Sequence, residues 1–129
     1  ASCWLFGVAE YANRLFVPRI LLEGGIEGSV VTELTNPVDN DILASIVGFF
    51  APCVSAPWFE EILYRGYLLP ALAMFMPLKA AVFFSGIIFS LTHMNWPGFI
   101  PLMMLGWTWA TLYSMCGNLL VTILIHVMW

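Results

Sequence analysis

The sequence from residue 57 to residue 66 reads Pro57-Trp58-Phe59-Glu60-Glu61-Ile62-Leu63-Tyr64-Arg65-Gly66. Between position 42 and the end of the chain only four side chains are charged, and this stretch carries three of them. A charge at the middle of a membrane helix costs about 3 kcal/mol or more, so such residues usually face one another and mark a working site. Because the surrounding residues are apolar enough to lie in a bilayer, the stretch predicts a polar site inside a membrane protein.

The spacing of the three charged residues predicts two different roles for them. Glu61 and Arg65 are four positions apart, so on a helix they share a face and can form an ion pair. Glu60 lies about 100° away around the same helix and can point elsewhere. We therefore expect one carboxylate to be held by the arginine and the other to be available for chemistry.

The composition of the whole chain identifies an integral membrane protein. Of its 129 residues, 61% are hydrophobic and 9% are charged, and the mean hydropathy is +0.91. An ordinary soluble domain has about 25% charged residues. The net charge is −4 and no basic patch is present, so nucleic acid is excluded as a partner and the lipid bilayer is the expected surrounding.

The first part of the chain, residues 1–41, predicts an interfacial helix followed by a polar loop. Residues 1–22 are apolar and aromatic, but they include Glu10 and Arg14, which are four apart and can pair. These features favour an amphipathic or partly inserted helix near the membrane interface. Gly-Gly and Asn-Pro pairs mark the acidic stretch 23–41 as loop.

The second part, residues 42–129, predicts an all-α fold: a polytopic transmembrane bundle of about four membrane helices. Asp41 is placed to cap the first of these helices. Residues 42–56 form an apolar run of about fifteen residues, roughly 22 Å as a helix. This is shorter than the ~20 residues that a span requires. If the helix continues through Pro57 to about Leu69, it becomes long enough to span, and we expect its prolines to bend it.

Three later segments complete the predicted bundle. They are residues 80–94, preceded by Lys79; residues 99–115, which carry no charge; and residues 119–129. Asn95-Trp96-Pro97-Gly98 and Gly117-Asn118 separate them. The last segment has about eleven residues, too few to cross a ~30 Å core, so we expect the polypeptide to continue beyond Trp129.

The later segments also contribute two groups that titrate near neutrality, His93 and His126. On a helix His93 shares a face with Phe89. Together with the two glutamates and Arg65, two histidines suffice to activate water, with a carboxylate as base and imidazole as its partner and as an oxyanion donor.

Other interpretations of the same residues remain open. A membrane histidine can be a hydrogen-bonded packing residue, and Glu61–Arg65 can be a structural ion pair. Two histidines and a carboxylate can bind a metal, although the sequence has no H-E-x-x-H, which excludes a zincin-type helix. His93 or His126 could instead ligate the magnesium of a chlorophyll. Tyr64, Asn95 and Asn118 are further polar candidates.

Three motifs in this order resemble those of the CAAX-protease and bacteriocin-processing family, which includes the type II CAAX prenyl endopeptidases. They are Glu60-Glu61-x-x-x-Arg65, Phe89-x-x-x-His93 and the late His126. The flanking residues fit as well, with Ala56-Pro57 before the paired acids and Asn118-Leu119-Leu120 leading into the last histidine. The resemblance covers about residues 42–129.

The resemblance implies an intramembrane, glutamate-dependent endopeptidase that uses neither metal nor cofactor. Carried onto this sequence, Glu60 would be the general base that activates water, aided by His93. Glu61 and Arg65 would orient the site, and His126 would help to stabilise the tetrahedral oxyanion. In the family the last motif is His-x-x-x-Asn or His-x-x-x-Asp. Its fourth following residue would be position 130, so we expect this further donor in a longer chain.

Residues 69–72 and the run from Asn118 to His126 look most like the plastid and cyanobacterial branch of the family. For that branch the resemblance implies a peptide or protein substrate, not specifically a prenylated one, and a thylakoid or inner-envelope membrane. The alternative function is a non-catalytic subunit of a larger membrane complex, such as a photosynthetic pigment–protein complex. In that complex, other membrane subunits and pigments would be the partners, and chlorophyll the cofactor.

Overall fold

A computed structural model describes residues 2–19, 21 and 42–128, and in those ranges the regular structure is helical, with no strand. The predicted all-α class is therefore confirmed. The loop predicted for residues 23–41 and the helix cap predicted at Asp41 lie outside the described residues.

The N-terminal helix, α1 (Ser2–Phe16), presents three different faces. Ala9 and Asn13 are buried against the rest of the protein. Glu10 and Arg14 are exposed, with Arg14 Nη2 3.6 Å from Glu10 Oε1, which confirms the predicted pair. From position 7 onward, the large apolar side chains that α1 exposes are Val8, Tyr11, Leu15 and Phe16. This division of the surface suits a helix that lies at a membrane interface.

The longest helix, α2 (Ile42–Ala73), carries the charged stretch and has 32 residues. At 1.5 Å per residue it is about 48 Å long, so it exceeds the ~30 Å hydrocarbon core of a bilayer. The first predicted membrane helix thus continues through Pro57 and past Leu69.

Two parts of α2 have the wider turn of a π-helix, Ala51–Ser55 and Ile62–Leu68. The first contains Pro52, which has no N–H and whose ring clashes with the carbonyl of an ordinary α-helical turn. The N–H of Ala56 bonds to the carbonyl of Ala51 across this wider turn. The second directly follows Glu61. A π-helical turn contains more residues than an α-helical turn, so it changes the directions in which the side chains after Glu61 point.

Three further helices follow α2: α3 (Leu78–Thr92), α4 (Phe99–Cys116) and α5 (Leu119–Val127). A short 3₁₀ turn, Trp96–Gly98, separates α3 from α4. Gly117 ends α4 in the left-handed conformation, with φ of +64°, which glycine adopts without strain. Asn118 caps α5 by accepting a hydrogen bond from the Leu120 N–H at 3.0 Å. Both predicted breaks are therefore found.

Small residues let α3 and α4 approach closely. A Cβ added to Gly106 would lie 3.0 Å from the Cα of Gly86, and one added to Gly86 would overlap the indole of Trp107. Beside this crossing, Leu69 of α2 packs with Ala81 and Ala110 in a buried apolar cluster. Close packing at small residues is typical of membrane helix pairs. Phe89 of α3 and Gly106 of α4, which both contact Arg65 of α2, lie at this crossing.

By length and hydropathy, α2 is the one helix in the described part of the chain that can cross a bilayer unaided. Its most apolar window has a mean hydropathy of 1.7, and 11% of that window is buried within the protein. Helix α3 is apolar but has only 15 residues. The predicted number of four membrane helices therefore stays a prediction.

Candidate active site

Glu61 and Arg65 form the inner half of a polar cluster, where both side chains are 0% exposed. Arg65 Nη1 lies 3.0 Å from Glu61 Oε1, as the four-residue spacing predicts. The other carboxylate oxygen, Glu61 Oε2, is buried and has no hydrogen-bond partner among the described residues. Buried charges of this kind are tolerated only when they are paired, so removal of either partner would leave a costly isolated charge.

Neighbouring helices fix the position of the Arg65 guanidinium. Its Nη2 donates a hydrogen bond to the backbone carbonyl of Gly106 on α4 at 3.1 Å. Its central carbon also lies 5.0 Å from the centroid of the Phe89 ring on α3, which is within the range of a cation–π contact. The arginine thereby joins α2, α3 and α4 at one point.

Glu60 and His93 form the outer half of the cluster and are partly accessible, at 26% and 29% exposure. His93 Nε2 lies 3.6 Å from Glu60 Oε1. A single water molecule beside both atoms could donate one O–H to each of them, since polar contacts of this length are commonly bridged by water. The outer half therefore has the dimensions required to hold and deprotonate water.

His126 contacts both halves of the cluster. Its Nδ1 lies 2.9 Å from Glu61 Oε1, and its Nε2 lies 3.9 Å from Glu60 Oε2. The side chain is only 10% exposed and its ring stacks on the indole of Trp109, at 5.3 Å between ring centroids. The carboxylate of Glu61 can only accept a hydrogen bond, so Nδ1 of His126 carries a proton.

The backbone fixes the proton position on His93 as well. Its Nδ1 lies 2.7 Å from the carbonyl oxygen of Phe89 and must donate to it. In the neutral imidazole the unprotonated nitrogen is then Nε2, the atom that faces Glu60. The ring also packs on the Phe89 side chain, 4.5 Å away between centroids. His93 is therefore held with a proton acceptor towards the carboxylate.

A cleft of about 260 Å³ opens onto the outer half. It is lined by Phe59, Glu60, Leu63, Tyr64, Thr92 and His93. The hydroxyl of Tyr64 hydrogen-bonds to that of Thr92 and so ties α2 to α3 beside the cleft. Glu60 is accordingly reached from one side through an opening with exposed apolar walls, formed by Phe59 and Leu63.

The structure brings all five predicted site residues together, and the described chain shows no group of three or more metal-binding side chains placed to hold an ion. Among the other candidates, Tyr64 lines the cleft, whereas Asn95 and Asn118 cap helices. Sequence reasoning missed Trp109, because nothing in its apolar surroundings distinguishes it from the other five tryptophans.

Comparison with known families identifies a match over most of the chain. The model described as type II CAAX prenyl endopeptidase Rce1-like matches residues 42–129, a range that includes both halves of the cluster and His126. No curated protein and no solved structure matches the chain.

Proposed function

The chain belongs to the type II CAAX prenyl endopeptidase Rce1-like family, whose members are membrane-embedded, and on that premise we propose that it is a glutamate-dependent intramembrane endopeptidase. One observation carries the proposal: Glu60, His93 and His126 meet at distances of 3.6 and 3.9 Å, and the first two line an open cleft. Glu61 and Arg65, which follow Glu60 on the same helix, are fully enclosed.

Water activation is assigned to the outer half. Glu60 accepts a proton from a water molecule that also donates to His93 Nε2, and the resulting hydroxide attacks the carbonyl carbon of the scissile peptide bond. As the C–O bond forms, the carbonyl π electrons move to oxygen and give a tetrahedral oxyanion. Glu60 then returns its proton to the amide nitrogen as the C–N bond breaks, which leaves an acid and an amine.

Oxyanion stabilisation is assigned to His126. Its Nδ1 donates to Glu61, and its Nε2, beside Glu60, can donate to the oxyanion when that nitrogen also carries a proton. A donor fixed in advance in a site of low dielectric constant stabilises a developing negative charge strongly. Glu61 and Arg65 hold His126 in this orientation and act as positioning residues.

Replacement of Glu60 by Gln tests the proposal. It removes the base but keeps the size and hydrogen-bonding capacity of the side chain, so cleavage should fall by about 10³-fold or more, with little change in unfolding temperature. The assay uses the full chain in detergent micelles or nanodiscs and a library of quenched peptides that includes prenylated CAAX peptides. Glu10→Gln, an exposed carboxylate on α1, is the matched control.

Two outcomes contradict the proposal. Turnover in Glu60→Gln equal to that of the unaltered chain would remove the assigned base. Absence of cleavage by the unaltered chain across the library, together with co-purified pigment or subunits that depend on His93 or His126, would favour the non-catalytic alternative.

We further propose a plastid membrane, thylakoid or inner envelope, as its location, because residues 69–72 and 118–126 resemble the plastid and cyanobacterial branch of the family. A fluorescent fusion that is imported into thylakoids or the inner envelope would support it. Retention of the fusion in another membrane system would contradict it.

A further inference from the structure

We propose that Asn13 of α1, outside the part of the chain that the family model matches, is a positioning residue that clamps the turn after His93. The inference rests on the proposed function, because it concerns the histidine assigned to water activation. Its structural part, the clamp itself, can be measured without any substrate.

Asn13 satisfies three backbone groups of the turn at once. Its Nδ2 donates to the carbonyls of Trp96, at 3.2 Å, and Pro97, at 2.6 Å, and its Oδ1 accepts from the N–H of Ile100 at 2.9 Å. The side chain is 1% exposed. Both the donor and the acceptor of this amide are therefore bonded to a segment more than 80 positions away. Loss of these partners would leave a buried polar group unsatisfied, which is costly.

The bond to Ile100 acts as a helix cap supplied by another helix. The first N–H groups of a helix lack partners within it and are normally satisfied by an N-cap side chain. The N-cap residue of α4 is Gly98, which has no side chain to offer. Asn13 supplies this missing acceptor from α1.

The turn needs such support because its backbone is strained. Met94, the residue directly after His93, has φ of +48°, in the left-handed region that non-glycine residues other than Asn and Asp seldom adopt. A conformation of this kind is unfavourable for a residue with a Cβ and persists only where the surroundings hold it. Within the same turn, the Gly98 N–H donates to both Oδ1 and the backbone carbonyl of Asn95, at 3.1 Å each.

His93 depends on this turn for its position. It is the C-cap residue of α3, so the end of the helix and the strained Met94 lie on either side of it. If Met94 relaxes, the last turn of α3 can unwind and carry the imidazole away from Glu60. A displacement of about 1 Å at a catalytic group can reduce the rate by up to about 10²-fold. The apolar walls of the cleft, Phe59 and Leu63 on α2, would keep their positions.

The experiment compares three variants of the full chain: Asn13→Ala, Asn13→Asp and the control Glu10→Gln. Hydrogen exchange is followed in peptides that cover residues 94–101, and kcat and KM are measured with the best peptide from the cleavage library. Asn13→Ala should speed exchange at Gly98 and Ile100 and lower kcat about tenfold or more with KM unchanged. Glu10→Gln should leave all three quantities unchanged.

Asn13→Asp distinguishes the loss of the two donated hydrogen bonds from the loss of side-chain volume. It is isosteric and keeps an acceptor for Ile100, but it presents oxygen instead of N–H to the carbonyls of Trp96 and Pro97. We expect it to be at least as harmful as Asn13→Ala. Adding Met94→Gly to Asn13→Ala should restore part of kcat, because glycine adopts the left-handed conformation without strain.

Three results would overturn the inference. They are unchanged exchange over residues 94–101 in Asn13→Ala, unaltered behaviour of Asn13→Asp, and a loss of activity that lies wholly in KM. If the unaltered chain cleaves no peptide, the proposed function fails, but the exchange measurement still decides whether the clamp exists.

Discussion

The two halves of the polar cluster differ in exposure although their carboxylates are adjacent in the sequence. Glu61 is 0% exposed and is in contact with Arg65 and His126, whereas Glu60 is 26% exposed and lies beside a cleft. Adjacent residues of a helix differ by about 100° in direction. The Glu61 carboxylate therefore points into the protein, while that of Glu60 points to the cleft. The same chemical group is therefore enclosed in an ion pair at one position and open to a cleft at the next.

Loss of Arg65 should have the largest effect on the inner half. Arg65→Met leaves the Glu61 charge buried without its cation, which typically costs about 3–5 kcal/mol. We expect a corresponding fall in the free energy of unfolding, measured by denaturation in detergent micelles. The double variant Glu61→Gln/Arg65→Met removes both charges and should recover much of that loss. If the double variant is no more stable than the single one, the two residues are not coupled as the 3.0 Å contact indicates.

The outer half should respond in activity and not in stability. His93→Gln keeps a polar side chain but removes the nitrogen acceptor that faces Glu60. We expect kcat to fall by about 10²-fold, or about 2.7 kcal/mol in activation free energy. The unfolding temperature should change little, because the side chain is 29% exposed. Equal losses of stability in His93→Gln and Arg65→Met would abolish the distinction between the halves.

A smaller effect is expected where α4 supports the inner half. In Gly106→Ala the new methyl group would lie 3.0 Å from the Gly86 Cα and 3.2 Å from the Phe89 Cβ. Overpacking of this kind costs about 1–3 kcal/mol, and it would also disturb the carbonyl that accepts from Arg65. Gly7→Ala is the matched control, since no atom lies within 4 Å of its added Cβ. Similar unfolding temperatures for the two variants would contradict the tight α3–α4 crossing.

Local features of the fold and the site could be predicted where they depend on neighbouring residues. The Glu61–Arg65 pair follows from helical spacing, and the break at Gly117 follows from the need for a left-handed residue at the end of α4. The approach of His126 to Glu61, 65 positions away, does not follow from spacing. The resemblance of three motifs to a known family supplied the expectation that His126 belongs to the site, but not its contact with Glu61.

Other features had no signal in the sequence. Asn13 is one asparagine in an apolar segment, and its partners lie 83 to 87 positions away. The second π-helical part of α2, Ile62–Leu68, contains no proline, and hydrophobic periodicity does not reveal it. Trp109 acquires its contact with His126 only when α4 and α5 meet.

The length of α2 also bears on how the protein enters its membrane. Insertion follows the summed hydrophobicity of a segment, in which a charge near the centre costs roughly 3 kcal/mol and each Leu, Ile, Phe or Val contributes only roughly −0.5 kcal/mol. Three charges in one helix therefore need many apolar residues, and the 32 residues of α2 supply them on both sides of the charged stretch. Because Glu61 and Arg65 lie on the same helix, they can pair before α5 is synthesised. The helix can thus carry its polar centre into the bilayer ahead of the histidines that complete the cluster.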